Sequence, residues 1–334
     1  MYDDILSLIG ETPLVRLSKV FKDSHFHLYA KLEGFNPGGS IKDRAAINII
    51  RHALEAGEAT PGTTIIESSS GNMGIGLAQV CAYYGLRFIC VIDPKTTKSN
   101  IEILKAYGAE IEYVSEPDPV TGEFLQARID RVSHLLDSIP NSYWPDQYSN
   151  LNNFKAHYKT MREVMTQLGR APDYMFCATS TCGTVRGCAE FVRDNELKTK
   201  VVAVDAKGSV IFGSTPSKRL IPGHGSAVRP KLLEPELIDT CVHVSDLDCI
   251  VGCRRLVRTE AILAGGSSGA ILMAIDQMKE AIEPGATCVA IFADRGERYL
   301  DTIYSDSWVA THFSASAHLW EGQGEEATCV KVTS

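Results

Sequence analysis

The chain has 334 residues, with 33 Lys plus Arg against 41 Asp plus Glu, a net charge of −8, 44% hydrophobic residues and 22% charged. That is ordinary globular composition, which excludes intrinsic disorder, a collagen-like chain and a disulfide miniprotein. The acidic balance gives no reason to expect a nucleic acid or an anionic membrane as partner.

The length suggests two domains or one large one. Ten cysteines are present; none forms a Cys-x-x-Cys pair and most lie in apolar runs, so buried, reduced thiols are expected rather than a disulfide or zinc framework. The N-terminal segment carries two acids, Asp3 and Asp4, and lacks a basic segment and a long apolar stretch, so no signal peptide is expected. No apolar run approaches the roughly 20 residues that a membrane helix needs. A cytoplasmic protein is the expectation.

Taken in chain order, strand-like and helix-like segments alternate. Residues 26–32 (FHLYAKL) alternate and read as a strand, and 41–56 has helical spacing up to Gly57. A short β-branched run, 63–67, is followed by a helix over 73–84 that stops at Gly85. The continuously apolar 87–93 (RFICVID) suits a buried parallel strand. Next come a helix over 98–107, a strand over 110–114, and long helices over 124–136 and 154–168. The alternation resumes with a strand at 174–178, a helix at 184–192 and a strand at 200–205. Helices near 250–258 and over 268–282 and a strand at 287–292 complete it. This pattern predicts an α/β protein with parallel sheets and helices on both faces. The polar, aromatic stretch 143–153 marks a crossover between domains. Residues 207–235, rich in Pro, Gly and Ser, predict a long irregular loop, which in a compact protein is usually functional or mobile.

Three Gly- and Ser-rich segments each open a helix, where free N–H groups and the positive dipole end receive ligands. The first, 36–44 (NPGGSIKDR), puts Lys42 in the first turn of a helix. The dipole there disfavours an ammonium, which suits a lysine that does Schiff-base chemistry. Most lysines are solvated surface residues, but no other lysine of the chain sits at such a junction. The second, 68–74 (SSSGNMG), is a nest of donors suited to a carboxylate or phosphate. The same composition also describes an ordinary βα turn. Its glycines do not have the spacing of a dinucleotide fingerprint. The third, 179–184 (TSTCGT), follows a strand and forms a phosphate cup without the lysine of a nucleotide-triphosphate loop. A smaller signal, 265–269 (GGSSG), opens another helix.

Together, and in this order, these four segments and the opening GETPL (10–14) resemble the fold-type-II pyridoxal-phosphate enzymes of the cysteine synthase and cystathionine β-synthase family. The likeness spans roughly residues 5 to 305. It implies a two-domain fold similar to the tryptophan synthase β chain. A small mobile domain, 36–147, would hold the substrate carboxylate. A large domain, 1–35 with 148–312, would hold the cofactor phosphate, and 313–334 would be a partly disordered tail. The resemblance implies pyridoxal 5′-phosphate as cofactor, carried on Lys42, which would also act as the base at the substrate Cα. Asn72 would bond the ring oxygen, Ser180, Thr181, Cys182, Gly183 and Thr184 would hold the phosphate, and Ser267 would face the pyridine nitrogen. Ser69, Ser70, Met73 (through its N–H) and Gln147 would bind the substrate carboxylate, with Ser68 less secure. A homodimer is implied as well, and no metal.

Two further segments, 204–213 (VDAKGSVIFG) and 294–301 (DRGERYLD) with 304–308 (YSDSW), resemble one subfamily, the N-(2-amino-2-carboxyethyl)-L-glutamate synthases of staphyloferrin B-type siderophore pathways. The implied reaction is β-replacement. O-phospho-L-serine loses phosphate to leave a bound aminoacrylate, and the amine of L-glutamate adds to it, giving a precursor of L-2,3-diaminopropionate. Relative to the cysteine synthase pattern, Ser180 and Cys182 replace glycines of the phosphate cup. The Cys182 change reads equally well as a tolerated loop substitution; Ser180 is closer to the reacting end. Tyr148 places a phenol where an apolar aromatic is usual. Arg219, Arg229, Lys207 and Lys218 are candidate neighbours for the leaving phosphate, each also readable as an ordinary surface charge. The nearest alternative is an O-acetylserine or O-phosphoserine sulfhydrylase, which shares the first half-reaction. An NAD-dependent dehydrogenase lacks its glycine fingerprint here, and a non-catalytic homologue need not retain Lys42, Asn72 and Ser267 together.

Overall fold

The computed structural model describes residues 1–119, 122, 124–313 and 329–330. The chain divides into two compact units, Met1–Ile9 with Asn36–Ala156, and Gly10–Phe35 with His157–Ser334.

The first unit carries α1 (Lys42–Glu55), β3 (Thr64–Ser68), α2 (Asn72–Tyr84), β4 (Arg87–Ile92), α3 (Lys98–Ala106), β5 (Glu110–Tyr113), α4 (Phe124–Ser138) and β6 (Ser142–Tyr143). Its sheet runs β5-β4-β3-β6 and every pairing is parallel. Successive side chains of a strand point to opposite faces, and the two faces are filled differently. Ile65, Phe88, Cys90 and Ile92 pack with Ile49, Ile50, Ile75 and Leu77 of α1 and α2. Ile66, Ile89 and Val91 pack with Val132 and Leu135 of α4. Burial on both sides explains why β4 reads as a continuous apolar run and β3 as a β-branched one. Helix α2 ends at Gly85, whose φ of 65° puts the C-cap in the left-handed region that glycine tolerates. Helix α5 (Leu151–Leu168) begins in this unit and ends in the second.

The second unit carries β1 (Leu14–Leu17), β2 (His27–Leu32), β7 (Tyr174–Ala178), α6 (Gly183–Asp194), β8 (Lys200–Ala206), β9 (Thr240–Val244), α7 (Asp246–Glu260), α8 (Gly266–Met278), β10 (Thr287–Phe292), α9 (Asp306–Phe313) and β11 (Cys329–Val330). The sheet order is β1-β2-β10-β7-β8-β9-β11. Strands β2, β10, β7, β8 and β9 are parallel to their neighbours in that order, whereas β1 and β11 pair antiparallel at the edges. Phe176, Val202, Val204, Val242 and Phe292 pack on one face with Ile250, Leu256, Ile271 and Ile275 of α7 and α8. Cys177 meets Cys188 of α6 on the other. Gly252 of α7 and Gly269 of α8 let those two helices touch: a Cβ on either would run into backbone of the other.

The alternating α/β reading with helices on both sheet faces matches this architecture, with local corrections. The antiparallel β1 was not expected, because four residues with two exposed members carry little periodicity. The strand β9 was missed, and α7 begins at Asp246 rather than near 250. Ser245 builds a capping box with Asp248, which supplies that earlier start. Helix α8 ends at Met278 and continues only as a 3-10 turn, Lys279–Ala281. Helix α9 was also missed. Residues 314–328 and 331–334, most of the expected tail, lie outside the described residues. The nine cysteines from Cys81 to Cys288 are free and buried. Among the described residues no helix is long and apolar enough to cross a membrane.

Candidate active site

In the first unit the predicted residues gather at the C-terminal ends of β3 and β4, where parallel α/β sheets present their ligand loops. Lys42 is the first residue of α1, half-buried, and its N–H donates to Ser40 Oγ at 3.2 Å. The approach is tight. Gly38 N–H donates to Asp43 Oδ2 at 2.5 Å, and a Cβ on Gly38 would lie 2.5 Å from Asp43 Oδ1. Gly39 has φ 84°. The glycines of this segment therefore let the loop fold onto the start of α1 and fix where Lys42 emerges. Among the described lysines only Lys31, Lys42 and Lys207 are buried or half-buried. Lys31 is held by Glu163 at 2.8 Å, Thr12 O at 2.6 Å and Gln167 Oε1 at 3.0 Å.

The loop after β3 is shaped by its own serine. Ser69 Oγ accepts from Gly74 N–H at 2.9 Å and from Gly71 N–H at 3.3 Å. It thereby satisfies an N–H of the first turn of α2 that would otherwise be bare. Its own hydroxyl proton goes to Gly71 O across a long 3.4 Å. Ser70 and Asn72 are half-buried beside it, and Met73 is buried. Gln147 is brought to this loop from far along the chain: its Nε2 donates to Ser68 O at 3.0 Å. An amide nitrogen carries two hydrogens, so one donor remains. Tyr148 is half-buried next to it.

Several residues of this site were not singled out in the sequence. Glu67 is buried and receives hydrogen bonds from Ser68 N–H (2.8 Å), Gln147 N–H (3.2 Å) and Trp144 Nε1 (3.4 Å). Asn153 Nδ2 donates to Gln147 O at 2.7 Å, and Asn100 Nδ2 to Ser70 O at 3.1 Å. Cys90 Sγ sits 3.3 Å from Ser69 O, and burial pushes its thiol up to about 12, so it stays a thiol. Arg128 of α4 is 8% exposed; its Nε lies 3.2 Å from Oδ2 of Asp93, the residue after β4, and its Nη1 is buried without a hydrogen-bond partner. A charged residue on the buried stripe of a helix was the available signal for Arg128. Nothing in the sequence marked Glu67 as more than a strand end.

In the second unit the 179–184 loop joins β7 to α6. Thr181, Cys182, Gly183 and Thr184 are buried and Ser180 is half-buried. Thr181 Oγ1 receives Gly183 N–H at 3.4 Å, and Thr184 Oγ1 lies 3.3 Å from His157 Nε2. Cys182 is the N-cap of α6 and has φ 65°, a left-handed conformation that glycine adopts freely and other residues rarely do. Thr179 anchors the loop: Oγ1 donates to Asp205 Oδ1 at 2.9 Å, and its carbonyl accepts from Gly225 N–H at 2.7 Å. Burial raises the Asp205 carboxyl. That second contact docks the irregular 207–235 segment against the loop. Ser267 lies in the first turn of α8, whose N-cap Gly265 has no room for a Cβ beside Asp294 and Tyr299.

Residues 5–294 match the family model described as pyridoxal-phosphate dependent enzyme. The chain belongs to this family. A hydrogen sulfide-producing enzyme from Fusobacterium nucleatum is similar at 32% identity and TM-score 0.84, covering 90% of this chain and 100% of that one. An O-acetyl serine sulfhydrylase isoform from Entamoeba histolytica gives 32% and 0.84, with 91% and 92% covered. An O-acetylserine dependent cystathionine β-synthase from Helicobacter pylori gives 31% and 0.84, with 91% and 99% covered. The fold is therefore that of fold-type-II pyridoxal-phosphate enzymes related to cysteine synthase, and the cofactor is pyridoxal phosphate. The α6 start fits such a group: its loop offers buried hydroxyls and first-turn N–H donors, and no carboxylate lies within 179–184. The activity is a β-replacement of the cysteine synthase type.

Proposed function

We propose that this enzyme joins O-phospho-L-serine to L-glutamate, releasing phosphate and N-(2-amino-2-carboxyethyl)-L-glutamate. The observation that carries the choice of donor is Arg128. A phosphate leaving group departs with two negative charges, an acetate with one. A buried guanidinium whose Nη1 has no hydrogen-bond partner, held beside Asp93 at the end of β4, suits the larger charge. Arg128 joins Arg219, Arg229, Lys207 and Lys218 as a candidate partner of the leaving phosphate; Arg219 also has a buried Nε without a hydrogen-bond partner. Arg219 is turned toward the chain itself, with Nη1 donating to His224 O at 3.1 Å.

Pyridoxal phosphate, when bound, supplies the electron sink that lets the Cα–H and Cβ–O bonds of the donor break. Lys42 holds the cofactor through its amine, then removes the proton at Cα and returns it there. Asn72 bonds the ring oxygen. Thr181, Cys182, Gly183 and Thr184 hold the phosphate. Ser267 faces the ring nitrogen and, unlike a carboxylate, does not keep a proton on it. Ser69, Ser70, the Met73 N–H and Gln147 bind the donor's α-carboxylate, with Ser69 exchanging its long bond to Gly71 O for that oxygen. Ser180 and Tyr148 add hydroxyls for the second substrate, whose two carboxylates need more polar contacts than sulfide does. A homodimer in the cytoplasm, in siderophore precursor synthesis, completes the reading.

The second reading is an O-acetylserine or O-phosphoserine sulfhydrylase. It is favoured by the similarity to the Entamoeba histolytica sulfhydrylase. Our reading separates from an O-acetylserine sulfhydrylase by kcat/KM for O-phospho-L-serine against O-acetyl-L-serine in wild type and Arg128→Gln, and from an O-phosphoserine sulfhydrylase by the product formed with L-glutamate against sulfide. Our reading expects the phospho donor to be preferred and that preference to fall at least about tenfold in the variant. A preference for the acetyl donor that Arg128→Gln leaves unchanged supports the sulfhydrylase.

A further inference from the structure

Glu67 is 1% exposed in a strand whose five residues are all buried. A carboxyl placed there loses its hydration and is retained at a cost. Its two oxygens face two segments of chain. Oε1 accepts from Ser68 N–H and, at longer range, from the Trp144 indole; Oε2 accepts from Gln147 N–H. Gln147 closes the circuit by donating from Nε2 to Ser68 O, and Asn153 holds the Gln147 carbonyl. A single carboxyl thus ties the start of the Ser68–Gly71 loop to the backbone of a residue about 80 positions further on, and the tie leaves the second Gln147 side-chain N–H to point elsewhere.

We propose that Glu67 is a positioning residue for the amino-acid donor: it holds Gln147 and the Ser69–Met73 loop in the mutual register that receives the α-carboxylate. The proposal rests on the carboxylate-site reading given above. Glu67 itself touches no substrate. Isolated, a loop and a glutamine on separate segments would have to be ordered each time the substrate arrives, and the circuit removes that entropic cost beforehand.

The clamp has a charge state. Burial pushes the Glu67 carboxyl up to about 8, against the downward pull of the Ser68, Gln147 and Trp144 donors. The titratable groups that face it are Asp146 on the Gln147 segment, Cys90 on β4 and Tyr143 on β6. All three are acids, so none offers it a counter-cation. Once ionised, the carboxylate is a stronger acceptor for Gln147 N–H. The circuit therefore tightens as pH rises through about 8.

Steady-state kinetics of the holoenzyme with O-phospho-L-serine varied, from about pH 6.5 to about 9.5, test this in wild type, Glu67→Gln, Trp144→Phe and Gln147→Ala. Glutamine keeps the shape but turns one acceptor into a donor, so one of the two backbone N–H groups loses its partner. Expected are a wild-type KM that changes across an ionisation near 8 and, for Glu67→Gln, a KM about tenfold higher, a kcat within about twofold and loss of that ionisation. The cofactor absorbance stays as in wild type. Trp144→Phe removes only the long contact and changes KM by no more than about twofold. An unchanged KM in Glu67→Gln, or equal losses in kcat and KM, overturns the proposal. So does a wild-type KM that is flat across this ionisation, a result that stands even if Glu67→Gln does not fold. If Gln147→Ala also leaves KM unchanged, the carboxylate-site reading itself fails. If Gln147→Ala raises KM and Glu67→Gln does not, only the role of Glu67 fails.

Discussion

Gln147 and Ser68 are 79 positions apart, and the side-chain amide of one donates to the backbone carbonyl of the other at 3.0 Å. That bond is made where β3 ends, so the sheet of the first unit sets the position of both the loop and the glutamine. The assignment of the substrate carboxylate to these residues depends on it. Gln147→Ala removes the tie and one donor. It should raise KM for O-phospho-L-serine at least about tenfold, with a smaller effect on kcat, in initial-rate measurements.

Lys42 is the lysine assigned to the cofactor. Lys31, the more deeply buried lysine, is already engaged by Glu163, Thr12 and Gln167. Lys42→Ala should lower turnover at least about a thousandfold and abolish covalent attachment of pyridoxal phosphate. Borohydride reduction followed by peptide mapping checks this. A pyridoxyl group on Lys31 or Lys207 would refute the assignment.

Much of the fold was legible from periodicity. The β-branched run at 63–67 and the apolar strand read at 87–93 fall on β3 and β4, whose two faces are covered by helices. What escaped was structure set by partners rather than by pattern. The strand β1 exists because Leu14–Leu17 pairs with Leu28–Lys31 of β2. In the site, the loops that open helices announced themselves by composition. Glu67, Asn100, Asn153 and His157 did not, because their roles come from hydrogen bonds between segments distant in sequence, which no local pattern encodes. Arg128 left a trace, a charge on an otherwise apolar helix stripe, but only the folded unit shows that this face is covered and that Asp93 meets it.

Cys182 has a consequence for stability. At an ordinary position glycine is worse than alanine by about 0.5–1 kcal/mol. At φ 65° the order inverts, because alanine keeps the strain of the left-handed conformation and glycine does not. Cys182→Gly should therefore be more stable than Cys182→Ala by about 1 kcal/mol in chemical denaturation. The opposite order would mean that the loop relaxes out of this conformation.

Glu67 also predicts the pH dependence of stability. Its folded value, about 8, lies above the ordinary carboxyl value of 4.5. Between these limits the unfolded chain has released a proton that the folded chain still holds, so this residue's contribution falls as pH rises from 4.5 toward 8. Glu67→Gln has no such proton. Relative to wild type it should gain stability with rising pH, by at most about 1.4 kcal/mol per pH unit, and level off above the folded value. Urea denaturation at pH values within and above this window measures the difference, and parallel curves for the two proteins would contradict it.

The central claim is that the incoming nucleophile is the amine of L-glutamate. The most direct measurement gives the holoenzyme O-phospho-L-serine with equal concentrations of L-glutamate and sulfide and identifies the products by mass spectrometry. The account predicts N-(2-amino-2-carboxyethyl)-L-glutamate as the main product, formed with stoichiometric phosphate. Cysteine as the main product, with no glutamate adduct when sulfide is left out, would contradict it.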